Sequence, residues 1–252
     1  MNMIDFEKGK ILSTFFNLNA MLVVVGGTFS AAFINYSFSE MSQFFKGFGK
    51  VFLPEKFSKA EVIEEIIYLS KVSNRNGILE LEKHIDLQND KFIKFSLSEI
   101  LVYKKTAELE KSLNNHLNAM KLRHLNAQDI FNNMATYAPA FGMMGTVMGL
   151  IIMMTSQFSG DSGNSENMLS ALLSGMGLAL VTTFYGVLIA NFIFTPMAGK
   201  LAGLSSKEVE KNEIIIQGIL AIKEGMPTSF LKEYLSSNLS YKEKLENESL
   251  MP

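Results

Sequence analysis

The sequence has no cysteine. That excludes disulfides, cysteine-type zinc sites and thiol catalysis at once. The three histidines, His84, His116 and His124, stand at no metal-ligand spacing, and no nucleophile–base pair or phosphate-loop motif occurs, so an enzyme is not expected. A formal net charge of −2, with no basic patch interleaved by aromatics, argues against nucleic acid as a partner. The most informative absence is local: residues 11–39, 130–160 and 167–199 contain no Asp, Glu, Lys or Arg. Each stretch exceeds the roughly 20 residues that carry a helix across the hydrocarbon core.

The fold class expected is therefore all-α: a polytopic membrane protein with three transmembrane helices, over residues 14–36, 134–157 and 169–197, and a helical cytoplasmic domain. The first run is too long for a signal-peptide core and is read as retained. Lys46, Lys50, Lys56 and Lys59 follow the first span, Lys121 and Arg123 precede the second, and Lys200, Lys207 and Lys211 follow the third. Positive charge on those sides places them in the cytoplasm, with the N-terminus and the short 158–167 loop outside and the C-terminus inside. The chain divides as 1–39 (N-terminal segment and first span), 40–130 (cytoplasmic helical domain), 131–199 (transmembrane hairpin) and 200–252 (C-terminal helical segment). Within 40–130, Val62, Ile63, Ile66, Ile67 and Leu69, and again Leu109, Leu113, Leu117 and Met120, recur at helical spacing. Asn74-Arg75-Asn76-Gly77 breaks the first of these helices, Gly225-Met226-Pro227 ends another, and the charged last dozen residues are expected to fray.

No span holds an Asp, Glu, Lys, Arg or His. An ion relay needs a group whose charge marks loaded and empty states, so a partner must bring the carboxylate if this chain conducts. What the spans do hold is small residues at packing spacing: Gly142, Gly145, Thr146 and Gly149 in the second, Gly175, Ala179, Thr183, Gly186 and Ala190 in the third. Thr146 and Thr183 have two readings, a hydroxyl bonded to its own helix or an oxygen offered to a passing ion. Pro139 lies inside an apolar run and reads as a kink or hinge, whereas Pro196 fits a helix-end signal.

Several of these segments resemble one family. Thr136-Tyr137-Ala138-Pro139-Ala140-Phe141-Gly142-Met143-Met144-Gly145-Thr146, with Arg123-His124 upstream and Gly149-Leu150 downstream, resembles the third transmembrane helix of the MotA/PomA flagellar stator family. Thr182-Thr183-Phe184-Tyr185-Gly186 with Ala190-Asn191 and Pro196 resembles its fourth, and Val23 to Thr28 its second. Glu208-Val209 through Gly218-Ile219-Leu220 to Glu224-Gly225 is similar to its C-terminal segment.

The resemblance implies a homopentamer around a single-span MotB/PomB-like subunit that carries the membrane aspartate, in the bacterial inner membrane and in contact with lipid. Transported H+ or Na+ is the only cofactor implied, and ion flow turns the ring against a FliG-type flagellar rotor protein. By match, Thr146 and Thr183 line the ion pathway, with Thr146 favouring sodium. Pro139 and Pro196 couple ion movement to conformational change. Gly77 to Glu82 resembles the rotor-facing segment: Glu82 takes the acidic position, and Arg75 stands in for the basic one that would fall on Asn74. The family's first transmembrane helix is apparently lacking, because the residues ahead of the first apolar run include Asp5, Glu7, Lys8 and Lys10. Three spans with the N-terminus outside is also the arrangement of the ExbB/TolQ energisers of outer-membrane systems, and a non-conducting membrane scaffold would share the small-residue faces. The rotor-type segment, Tyr185-Gly186 and the C-terminal segment favour MotA.

Overall fold

A computed structural model of the chain describes residues 16–52, 58–158 and 165–239. The residues ahead of Phe16, where the expectation about a missing first helix falls, lie outside the described residues. So do most of the 158–167 loop and the charged C-terminal stretch.

Among the described residues the chain is helical throughout, without strands. Helix α1 runs Leu18–Asn35, α2 Phe38–Phe52, α3 Lys59–Asn76, α4 Glu82–Ile85, α5 Lys91–Val102, α6 Thr106–Phe158, α7 Ser165–Ile189, α8 Thr195–Lys223 and α9 Thr228–Ser236. They form two compact units, one from the described parts of Met1–Leu53 and Asn126–Leu201, the other from those of Pro54–Leu125 and Ala202–Pro252. Three helices are long and apolar enough to cross a membrane: α1, the apolar part of α6, and the run from α7 into α8.

The first unit holds the spans. Apolar side chains such as Val147, Ile151, Met154, Leu173, Leu180 and Phe192 point outward from it, the inverse of a water-soluble core. Helix α2 belongs here too, although the sequence division grouped it with residues 40–130. The reason is its buried face: Met41, Phe44, Gly47 and Val51 recur every three or four residues. The Phe44 ring stacks on Phe131 at 4.6 Å and meets Phe29 edge-on at 5.8 Å. Its other face exposes Phe38, Phe45 and Phe48. An amphipathic helix with aromatics on its outer face, next to spanning helices, is suited to the headgroup boundary.

The second unit is a soluble-type core. Leu109, Leu113, Leu117 and Met120, picked out by spacing, are all buried against Ile63, Ile66, Leu69, Ile215 and Ile219. Gly218 lets α8 close onto α3, since a Cβ there would stand 2.5 Å from Ile66 Cγ2. Helix α3 starts at the N-cap Ser58 and stops at Gly77, whose φ of 86° is left-handed and whose N–H donates to the Ser73 carbonyl at 2.8 Å.

One expectation is corrected. Pro196 does not end a helix. A π-helical turn, Ala190–Phe194, follows α7 directly, and α8 starts at Thr195, so the chain stays helical through the proline. Proline cannot donate to the carbonyl four residues back, and a wider turn just before it takes up the mismatch without breaking the rod.

Candidate functional site: the seam between the second and third spans

Helices α6 and α7 pack through their glycines. A Cβ added at Gly149 would stand 2.6 Å from the Gly175 carbonyl oxygen, and one at Gly175 would stand 2.9 Å from that of Gly149. A Cβ at Gly145 would fall 2.5 Å from Thr182 Cβ, and one at Gly186 would fall 2.7 Å from the Ala138 oxygen and 3.1 Å from Pro139 Cα. The stripe read from sequence is therefore a backbone-on-backbone seam, of the kind small residues permit in lipid.

Gly142 faces the Thr183 backbone and Gly145 faces Thr182, so Thr146 and Thr183 lie within one helical turn of each other along this seam. Both are half-buried. Each hydroxyl donates to its own helix: Thr146 Oγ1 to the Met143 carbonyl at 2.6 Å and Thr183 Oγ1 to the Ala179 carbonyl at 3.4 Å. A hydroxyl that donates backward keeps oxygen lone pairs to offer, so the two readings from sequence are compatible. Thr182 was not singled out by sequence. It is fully buried, its Oγ1 donating to the Leu178 and Ala179 carbonyls at 3.0 and 2.9 Å, and it fills the notch that Gly145 leaves. Its complementary glycine was the available signal.

Pro139 sits within an unbroken α6. Its ring nitrogen gives nothing to the Ala135 carbonyl. Gly186 packs on that turn from α7, and just beyond it Gly27 of α1 admits the Phe141 ring: a Cβ at residue 27 would stand 2.3 Å from Phe141 Cδ1. Pro196 lies on the third span, two residues past the π turn.

Arg75 and Glu82 belong to the other unit and are described apart from the seam. Arg75 occupies the last turn of α3 and Glu82 the first of α4; both are exposed, and neither makes an ion pair among the described residues, whereas neighbouring Lys83 and Glu80 pair at 3.0 Å. Asn74 is otherwise engaged. Its amide donates to Thr228 Oγ1 at 3.1 Å and to the Met226 carbonyl at 3.4 Å, tying α3 to the start of α9. Arg75, the next residue, stands exposed at the same turn.

The histidines pack. His116 stacks on Phe95 at 4.1 Å, His84 meets Tyr68 edge-on at 5.6 Å, and His124 Nδ1 lies 3.0 Å from Ser205 Oγ. Among the described residues no cluster of His, Asp or Glu could hold a metal ion.

Two apolar helices meshed through a glycine seam, with two hydroxyls along it, describe a membrane-embedded helical hairpin. The model of the MotA/TolQ/ExbB proton channel family matches residues 84–214, and the chain belongs to that family. Its branch is that of motility protein A. The protein of that name from Treponema phagedenis is 34% identical over 96% of this chain and 90% of its own length. That from Treponema pallidum is 32% identical over 92% and 86%. The flagellar MotAB stator complex from Bacillus subtilis superposes with a TM-score of 0.80 at 27% identity, covering 93% of this chain and 89% of that one. With three spans, the chain is a multi-pass membrane protein.

Proposed function

We propose that this chain is the channel-side stator subunit of a bacterial flagellar motor, working with a MotB/PomB-like single-span subunit. The observation that carries the reading is the hydroxyl-bearing seam of α6 and α7. It offers oxygens and close backbone packing but no group that changes charge, so it suits a partner that brings a carboxylate. The similarity to solved MotAB stators supports the same reading.

In this mechanism a homopentamer surrounds the partner helices, and Thr146 and Thr183 face the ion as it passes the partner's carboxylate. Thr146 favours sodium over protons, because it matches the first threonine of the pair that faces the ion path in sodium-driven members of the family. Pro139 and Pro196 convert the neutralised and charged states into different helix geometries, because each removes a backbone hydrogen bond that would stiffen its turn. Arg75 and Glu82 present unpaired charge to a FliG-type rotor protein in the cytoplasm, where the C-terminus also lies. The energy comes from the gradient: one charge crossing about 100 mV yields about 2.3 kcal/mol. No covalent step is needed.

The test is swimming and filament counts in a deletion strain from which any second stator set is also removed, with this gene then restored. Flagellated but immobile cells that swim again on restoration support the stator role. Undiminished motility without the gene, or no rescue by it, overturns it in favour of an ExbB/TolQ-like energiser or a non-conducting scaffold.

A further inference from the structure

Two side-chain hydrogen bonds join α1 to α6 at one place, and they are reciprocal. Asn35 Nδ2 donates to the Tyr137 hydroxyl at 3.1 Å, and Asn133 Nδ2 donates to the Tyr36 hydroxyl. Asn35 is the last residue of α1 and Tyr36 its C-cap. Asn133 and Tyr137 are one turn apart on α6 and so share a face. Each helix thus gives one amide and one phenol, and the two bonds together fix height and rotation where one bond would leave α6 free to roll.

The clasp closes immediately before Pro139. Just beyond it, Gly27 of α1 receives the Phe141 ring, while Gly186 of α7 lies against Ala138 and Pro139. The Ala135 carbonyl, one turn earlier, receives no N–H from Pro139, so α6 is least stiff at the turn that α1 grips.

We propose that the Asn35–Tyr137 and Tyr36–Asn133 pairs are positioning residues for ion-driven work: they brace the Pro139 turn against α1, making the first span the fixed side of the hinge. This rests on reading Pro139 as a coupling residue of a stator. Hydrogen bonds of this kind are directional, whereas the surrounding apolar contacts resist separation more than rotation.

The test is a pair of double-mutant cycles, Asn35→Ala with Tyr137→Phe and Tyr36→Phe with Asn133→Ala, in the full chain expressed with its partner in the deletion host. Swimming speed and the amount of chain in the membrane are both measured. Each single variant is expected to lose speed at unchanged membrane level. Each double should be no slower than its singles, a departure from additivity of roughly threefold, the scale of one interhelical hydrogen bond in a membrane protein. Additive doubles, full speed in every variant, or losses that track membrane level would overturn the proposal. Pro139→Ala, run alongside, separates the two ideas. Full speed in Pro139→Ala sinks the coupling reading itself, whereas its failure beside fully active clasp variants sinks only the clasp.

Discussion

Lys211 Nζ, on α8, lies 2.5 Å from Asp90 Oδ2, and the other oxygen of Asp90 caps α5 by accepting from the N–H groups of Phe92 and Ile93 at 2.7 and 3.1 Å. One carboxylate therefore serves as a helix cap and as the counter-ion of a buried lysine. Twelve residues on, Lys223 Nζ donates to the Ile100 carbonyl at 2.9 Å, so α8 grips α5 near both ends, with a cation at the end where the helix dipole favours one.

Replacing Lys211 with Met should loosen α5 at its start. Burial pushes the Asp90 carboxyl up, but the Lys211 ammonium and the two backbone N–H groups outweigh it and hold the carboxyl below its ordinary value. Because the folded value is depressed, the stabilisation is complete above the unfolded carboxyl range, near pH 4, and is lost as pH falls through the folded value. The expected cost at neutral pH is about 2 kcal/mol, less than for a fully buried pair because Asp90 is partly exposed. Hydrogen exchange of residues 91–102 in the purified protein, compared between pH 7 and acid, measures it. Equal protection in variant and parent would count against the clamp.

Gly149→Ala should separate α6 from α7, because its Cβ meets the Gly175 carbonyl oxygen, a backbone atom with nowhere to go. An overpacking penalty of about 1–3 kcal/mol is expected, seen as lost assembly in detergent and lost swimming. Gly177→Ala is the control. Nothing lies within 4 Å of a Cβ there, and that variant should assemble and swim normally.

How far the sequence could be read follows from what each signal depends on. The spans, the buried faces of α3 and α6 and the glycine stripe were legible because charge depletion and period are properties of consecutive residues. The side of α2 was not, because the partners of its buried face, Phe29 and Phe131 against Phe44 and Leu201 against Gly47, are distant in sequence. The helix-end reading of Pro196 fails for a related reason: proline usually stops a helix, and the π turn ahead of it leaves no compositional trace. In the seam, Thr183 was chosen from its stripe while Thr182, one residue away and fully buried, carries the packing. Lys211 looked like a flanking charge because its counter-ion lies 121 residues earlier.

Thr146→Ile and Thr183→Ile should abolish swimming while leaving the chain in the membrane, since among the described residues both hydroxyls bond within their own helices and their loss breaks no interhelical bond. Thr146→Ser, which keeps the oxygen, should retain swimming and leave its dependence on external sodium or pH as in the parent. Normal motility in both isoleucine variants would favour a scaffold over an ion pathway.

Arg75→Glu and Glu82→Lys should each lower swimming speed without changing the amount of protein, because both side chains are exposed and substitutions at such places usually alter stability by only about 0.5 kcal/mol. Compensating charge changes on the rotor protein should restore speed. Unchanged speed in both variants would remove this segment from the torque interface.

The Gly149–Gly175 contact also limits how the hairpin can move. Two helices that touch through main-chain atoms, with Gly145 notched around Thr182 and Gly186 seated on Ala138, are meshed like a rack. A piston stroke of one past the other would drive Ala179 or Thr182 over positions where no side chain fits, and would have to prise the rods apart first. Motions that keep this seam meshed, such as a joint tilt of the segments around Gly145–Gly149 and Gly175–Thr182, avoid that clash.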